Sequence, residues 1–427
     1  MASTVDLEQR GSEDADVNQR SFTRTVLLAC AIAALIGLAL AQDTNLPKRA
    51  ARSAIENPAA LANFFAALSQ ASSGRKIEPV RVLHFGDSHV AADVLTGEIR
   101  RNLQNQFGDG GPGYLVPANP MSTRRRGVSS GATSGWQIEG IGGRMERDNI
   151  YGLAGINLIT NQPNERIWIE TAANHFEVYF VREPGGGAID ITLDGATVLD
   201  KPLALNAHGT ATEYVSCDSP ADAIHRLEIR TLRPGKTRIL GIVAERMAPG
   251  VSYDVSGING ARISRLMTWN ASAFAAGLGQ RKPDLIILAY GTNEIGDGDW
   301  TPSSYRRLLK SVIQRIRAAA PQASILLFAP PDRGDLPLAT ARMPALIETE
   351  RAVALESGVA FWSAFDAMGG VGSMNNWVAR GWGQGDRVHL TRPGYDLIAD
   401  AFYRDLMRAY QQRLTGPTKS LTVDYHK

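Results

Sequence analysis

The chain is poor in cysteine and has no long block of one charge. Cys30 and Cys217 are the only cysteines among 427 residues, so a tetrathiolate metal site and a disulfide-stapled fold are excluded. Lys and Arg number 45 against 43 Asp and Glu, and the formal charge is +2. A nucleic-acid binder carries a basic stripe, and that partner class is set aside. Aromatic residues make up 7%, hydrophobic residues 44% and charged residues 21%. This is an ordinary globular composition, with length for two domains and short appendages.

Long apolar runs are also scarce. One apolar stretch without charge, Val26 to Ala41, reads VLLACAIAALIGLALA, short of the roughly 20 residues that cross a bilayer. It fits the core of an export signal: Arg20 and Arg24 precede it, and Ala39-Leu40-Ala41 offers a small-x-small cleavage site before Gln42. The leader is partly acidic (Asp6, Glu8, Glu13, Asp14, Asp16), and Lys48, Arg49 and Arg52 follow. A retained single-span anchor therefore stands beside a cleaved signal. Either one exports the remainder to the periplasm or cell envelope, and only a retained segment would keep it at the inner membrane. Leu27 to Cys30 resembles a lipoprotein box with too little apolar sequence before it, so lipidation is not expected. A cut after Ala41 would leave Cys217 as the sole cysteine.

Periodicity divides the rest. Residues 1–41 form the signal or anchor, and 42–78 a tether with one helix, Pro58 to Ser69, striped by Leu61, Phe64, Phe65 and Leu68. At 79–126 the texture becomes strand, tight turn and helix: Val80 to Leu83, then His84-Phe85-Gly86-Asp87-Ser88, then Ala91 to Gln106. The alternation resumes over 250–415. Strands are expected at Ser252 to Ile258, Asp284 to Ala289, Ser324 to Phe328 and Val359 to Phe361. Helices are expected at Arg262 to Leu278, Pro302 to Ala319, Ala341 to Glu356 and Pro393 to Leu414. Five such strands imply a three-layer α/β/α fold with a parallel sheet. Residues 127–249 instead carry short alternating runs, among them Ile167 to Ile169, Phe176 to Phe180, Ala188 to Leu193, Arg226 to Ile229 and Arg238 to Leu240. Asp194-Gly195 is a hairpin-type turn. An antiparallel β-sandwich inserted into the α/β domain is expected here, followed at 416–427 by a tail.

Four motifs follow α/β strands. Ser88 opens a helix after the first strand, where the helix dipole favours a developing anion. Asp386 stands three residues before His389, close enough to turn its carboxylate onto the imidazole and fix its tautomer. Asn293, in Gly291-Thr292-Asn293-Glu294, can donate an amide hydrogen to an oxyanion. Gly257-Ile258-Asn259-Gly260 lets a backbone N–H approach a substrate. Each alone has a plain alternative: a helix cap for Ser88, a surface residue for His389, simple turns for the other two.

Taken together, in this order, the motifs resemble the SGNH, or GDSL-type, hydrolase family. The resemblance covers about 79–126 and 250–414. It implies a flavodoxin-like α/β/α fold, Ser88 as nucleophile, His389 as general base and Asp386 as its orienting carboxylate. It also implies an oxyanion hole of Ser88 N–H, Gly260 N–H and the Asn293 side chain, and no cofactor. Gly260 is preferred to Gly257 by matching Gly-Ile-Asn-Gly to the family's second block. Glu294 stands where the family commonly has Asp, and His89 where it has Leu. Gly-Asp-Ser-His, the Phe107 to Gly113 stretch and a β insertion after the first block further resemble bacterial peptidoglycan O-acetylesterases, in which a jelly-roll similar to carbohydrate-binding modules occupies this place. Met368 to Met374, Trp377 and Trp382 fit the same group.

The expectation is thus an exported serine esterase that removes O-acetyl groups from a cell-wall glycan, peptidoglycan first, through an acetyl-serine. Its partner is the acetylated glycan. Alternatives are a polysaccharide O-acetyltransferase, a deacetylase of xylan or alginate, and a non-catalytic glycan-binding protein. Trp377 and Trp382 are candidates for stacking on sugar, beside a core-packing role, and His89 is a candidate substrate contact. Phe107 to Gly113 lacks the Lys-Ser/Thr of a phosphate-binding loop and reads as a rim. His84, His89 and His389 are not expected to form a metal site. In the insert, His175, His208 and His225 read as surface or satisfied residues. Asp190 and Asp194 could support calcium, though turn chemistry accounts for Asp194-Gly195.

Overall fold

The structure, a computed structural model, describes residues 54–117, 125–140 and 148–415. The export segment and the tail at 416–427 lie outside the described residues. Five strands, β1 (Val80–Gly86), β2 (Val251–Gly257), β3 (Leu285–Ala289), β4 (Ser324–Ala329) and β5 (Ala360–Ser363), form a parallel sheet in the order β2-β1-β3-β4-β5. The chain starts near the middle, steps out to β2 and returns to β3. That reversal opens a crevice beyond the carboxyl ends of β1 and β3. Every residue of β3 and β4 is buried, as their unbroken apolar runs require of strands covered on both faces.

The two faces divide β1 by its period of two. Leu83 and Phe85 join Ile286 and Leu288 against helices Ala271–Arg281, Pro302–Ala319 and Pro337–Ser357. Val80 and Val82 join Leu285 and Ile287 against helices Ala62–Ser72, Leu95–Phe107 and Arg392–Thr415. The fold is therefore α/β/α. Pro302 in the first turn and a capping box between Thr301 and Ser304 set the start of the helix Pro302–Ala319.

The expected tether needs correction over 54–78. Phe64, Phe65 and Leu68 are buried in the second of these cores. The Phe64 N–H donates to Ser324 Oγ of β4 at 3.2 Å. An apolar stripe that wide finds its cover against the sheet, so this helix belongs to the α/β unit.

Between the first strand–helix unit and β2 lies an antiparallel sheet of ten strands. Two runs expected to be separate, Ile167 to Ile169 and Phe176 to Phe180, belong to one strand, Arg166–Arg182. It pairs along its length with Ala211–Arg233, across a register shift between Asp218 and Ala223. Ile167 and Ile169 share a core with Phe176, Val178 and Phe180, so the sheet folds over on itself rather than forming two separate ladders. Gly113–Leu115 also pairs with Ile242 to Ala244, ahead of position 127. Positive φ at both Asp194 and Gly195 makes the hairpin turn there. A buried ion network fastens the sheets together: Arg281 bonds Asp254 Oδ2 at 2.6 Å and pairs with Glu245, which also holds Arg81 at 2.8 Å.

Candidate active site

Ser88 stands one residue beyond β1, after Asp87, and opens the short helix Ser88–Ala91. Gly86 is required just before it, because a Cβ there would lie 2.8 Å from the Ala289 carbonyl oxygen and 2.4 Å from a Val90 methyl. At the far end of the chain, Asp386 to His389 forms a turn before the helix Arg392–Thr415. Arg387 takes the left-handed conformation, φ 57°. This lets Asp386 Oδ1 accept the N–H groups of Val388 and His389, both at 3.0 Å. Asp386 Oδ2 then meets His389 Nδ1 at 2.7 Å. The other ring nitrogen, Nε2, lies 2.8 Å from Ser88 Oγ.

The fold thus joins Ser88 and His389, 301 positions apart, in an unbroken hydroxyl–imidazole–carboxylate relay. Burial works against the Asp386 charge. Hydrogen bonds from His389 and the Val388 N–H outweigh it and hold the carboxyl below its ordinary range. Such a relay can draw a proton from the hydroxyl as it attacks an acyl carbon.

The loops after β2 and β3 flank Ser88's strand. Of the two glycines weighed for the second block, Gly257 is packed into the fold: a Cβ there would fall 2.2 Å from the Ala91 nitrogen. Gly260, exposed and at φ 72°, has no atom within 4 Å of such a Cβ. Asn293 Nδ2 donates to the Ala261 carbonyl at 2.9 Å, and its next contact is Asp87 Oδ2 at 3.5 Å. The longer contact, at the outer limit of a hydrogen bond, holds the second amide hydrogen only weakly.

Two of the expected substrate contacts are corrected. His89 is almost wholly buried. Its Nδ1 bonds Tyr395 OH at 2.9 Å and its ring lies 5.3 Å from that of His389. Burial, and then the nearness of His389, lowers its pKa to about 3, so it is a neutral wall behind His389. Trp377 is in the core, with its indole N–H on the Met368 carbonyl at 3.1 Å; the apolar ring gains more there than over solvent. Trp382 is half-buried, edge-on to Trp377 at 5.4 Å, with the Arg380 guanidinium 5.1 Å from its ring.

Beneath the site lie carboxyl groups that the sequence reading did not single out as buried. Asp87 accepts the His89 N–H at 3.0 Å, and burial raises its pKa to about 6. Glu294, also buried, is raised to about 7. Glu350, which accepts the Tyr305 hydroxyl at 2.7 Å, is raised further by the same cause. A signal for Glu294 was its place directly after Asn293; nothing in the sequence marks Glu350 or Tyr395. Among the described residues no group of three or more His, Cys, Asp or Glu could hold a metal ion. His84, His89 and His389 turn to different partners, with His84 bonded to Tyr253 OH at 2.8 Å.

Residues 223–397 match the model of the GDSL-like Lipase/Acylhydrolase family, a span that takes in Gly260, Asn293, Asp386 and His389. A solved structure described as "Peptidoglycan O-acetylesterase in action" is similar at 27% identity and a TM-score of 0.70, over 82% of this chain and 96% of that one. Family two carbohydrate esterases from Clostridium thermocellum and Cellvibrio japonicus, both 13% identical, cover 59% and 66% of this chain and 94% and 98% of their own. Their TM-scores are 0.30 and 0.29, too low to bear on the argument. No curated protein matches the chain. Fold, family model and structural likeness together make the protein a carboxylic ester hydrolase. Within that class the family-model match over 223–397 and the fold are those of the GDSL-type, or SGNH, acylhydrolases, and the chain is similar in fold to a peptidoglycan O-acetylesterase.

Proposed function

We propose that this esterase is exported and removes O-acetyl groups from peptidoglycan, with Ser88 as nucleophile. The observation that carries the reading is the relay from Asp386 through His389 to Ser88 Oγ. As Oγ bonds to the acetyl carbon, His389 Nε2 takes the hydroxyl proton and the carbonyl electron pair moves onto oxygen. The N–H groups of Ser88 and Gly260 and the Asn293 amide receive that oxyanion; losing one such donor costs about 2.7–4 kcal/mol of barrier. Collapse of the intermediate breaks the bond to the sugar oxygen, which leaves with the proton from His389. Water then repeats the sequence on the acetyl-serine, releasing acetate and restoring Ser88. Asp386 stabilises the imidazolium formed twice in each cycle.

The likeness to a peptidoglycan O-acetylesterase supports the choice of glycan, and the apolar run Val26 to Ala41 supports export. The test is acetate release from O-acetylated peptidoglycan, set against acetylated xylan and alginate, with and without an acceptor glycan. The reading expects release fastest from peptidoglycan and abolished in Ser88→Ala. Faster release from xylan or alginate overturns the substrate, and acetyl transfer to the acceptor in place of acetate overturns hydrolysis. Full activity in Ser88→Ala overturns the site.

A further inference from the structure

The side chain of Glu294 joins, from beneath, the loops that carry Gly260 and Asn293. Glu294 is 4% exposed. Its Oε2 accepts the Gly291 N–H at 3.0 Å, on the loop after β3. Its Oε1 accepts the Ile263 N–H at 2.6 Å, on the loop after β2. Gly260 lies three residues before Ile263, and Asn293 immediately precedes Glu294. Two other links accompany it: Asn293 Nδ2 on the Ala261 carbonyl at 2.9 Å, and an ion pair of Arg262 with Asp297 on the outer side. Glu294 alone among the three grips backbone on both loops from within the protein.

We propose that Glu294 is a positioning residue for the esterase reaction, whose carboxylate sets the spacing between the loops bearing the two oxyanion donors, Gly260 and Asn293. This rests on the esterase reading given above. The chemistry of the group fits the task. A carboxylate only accepts, and here each oxygen meets one N–H donor. An amide of the same shape would turn an NH2 group toward one of those N–H groups and push the loops apart. A displacement of about 1 Å at such a site costs on the order of 100-fold in rate. The substrate's ground-state carbonyl depends on these donors far less than the oxyanion does, so the loss falls on turnover rather than on binding.

The test is Glu294→Gln, assayed on a small acetyl ester at about pH 8, where the wild-type carboxyl, raised to about 7, is ionised. Expected are a kcat lower by roughly 10- to 100-fold, a KM within about twofold, and a Ki for a methyl trifluoromethyl ketone raised by the same factor as kcat falls. That inhibitor forms a reversible bond to Ser88 Oγ and places an oxyanion in the hole. A residue that merely held the fold together would lower the thermal midpoint and the active fraction, leaving kcat and Ki of the folded enzyme unchanged. Wild-type kcat and Ki in Glu294→Gln overturn the proposal. Should Glu294→Gln not fold, Glu294→Asp, one methylene too short to span both N–H groups, is expected to show the same split, and wild-type values in it overturn the proposal equally. Activity surviving Ser88→Ala would defeat the esterase site itself, a different failure.

Discussion

Among the described residues three histidines hold an Asp carboxylate on Nδ1, and one of them stands before a serine. In the β insert, His175 bonds Asp218 and His225 bonds Asp194, each at 2.6 Å. At the edge of the parallel sheet, His389 bonds Asp386 at 2.7 Å. The difference is on the other nitrogen. His175 Nε2 faces Glu177 at 3.5 Å and His225 Nε2 faces the Ala221 carbonyl at 3.0 Å. Both rings have acceptors on both sides, and their pKa values are raised, chiefly by hydrogen bonds to Glu177 and Asp194 respectively. Neither Nε2 faces a group that could hand it a proton. His389 Nε2 instead meets a hydroxyl, which can donate to it. A His–Asp pair is thus common surface chemistry; the third member, delivered by the fold from the opposite end of the chain, makes it a candidate base.

The largest expected break in that contrast is His389→Ala, which should lower kcat on an acetyl ester by roughly 10⁴- to 10⁶-fold. Asn293→Ala removes one oxyanion donor and keeps the relay. Steady-state kinetics should show a loss of about 10²- to 10³-fold, mostly in kcat. A loss confined to KM would place Asn293 in ground-state binding instead.

A smaller effect tests the carboxyls under the site. Asp87, Glu294 and Glu350 all have pKa values raised by burial, to about 6 and about 7 for the first two. The fold favours their neutral forms. Their stabilising contribution is therefore full below the ordinary carboxylate range and is lost as pH rises through about 6 to 7. Glu245, lowered to about 2 against the cost of burial by its pairs with Arg281 and Arg81, acts in the opposite sense but only in acid, outside this window. Glu350→Gln keeps an acceptor for Tyr305 and removes one ionisation. Thermal melts at pH 5 and pH 8 should show the wild-type fall in midpoint shrinking by about 1–3 °C in this variant. An unchanged fall would mean that Glu350 is ionised throughout. Least of all is expected from His225→Ala, with kcat within about twofold of wild type and a midpoint change of a degree or two. A large kcat loss there would erase the contrast between the two regions.

Much of the parallel sheet was legible because its strands announce themselves. Leu285–Ala289 is apolar throughout, and Pro302 after Thr301 fixes a helix start. The four site motifs were legible because each is a short block at a strand end. Long-range pairing was not. Gly113–Leu115 has three residues, too few to show a period, and is a strand only because Ile242 to Ala244 lies beside it. The start of Ala211–Arg233 runs across the surface with mostly exposed, polar side chains, so no apolar alternation betrays it. Trp377 between glycine-rich segments fits a sugar platform and a core position equally in sequence, and only tertiary packing shows the ring covered. The carboxyl clamp of Glu294 depends on Ile263, 31 residues away, a distance no local pattern spans.

The most direct test of the account is to stop the reaction during turnover of an acetyl ester and map the acetyl group by peptide mass spectrometry. The account predicts one acetyl on the peptide containing Ser88, accumulating early and absent from Ser88→Ala. Turnover with no acetyl on Ser88, or with the acetyl on another side chain, would contradict it.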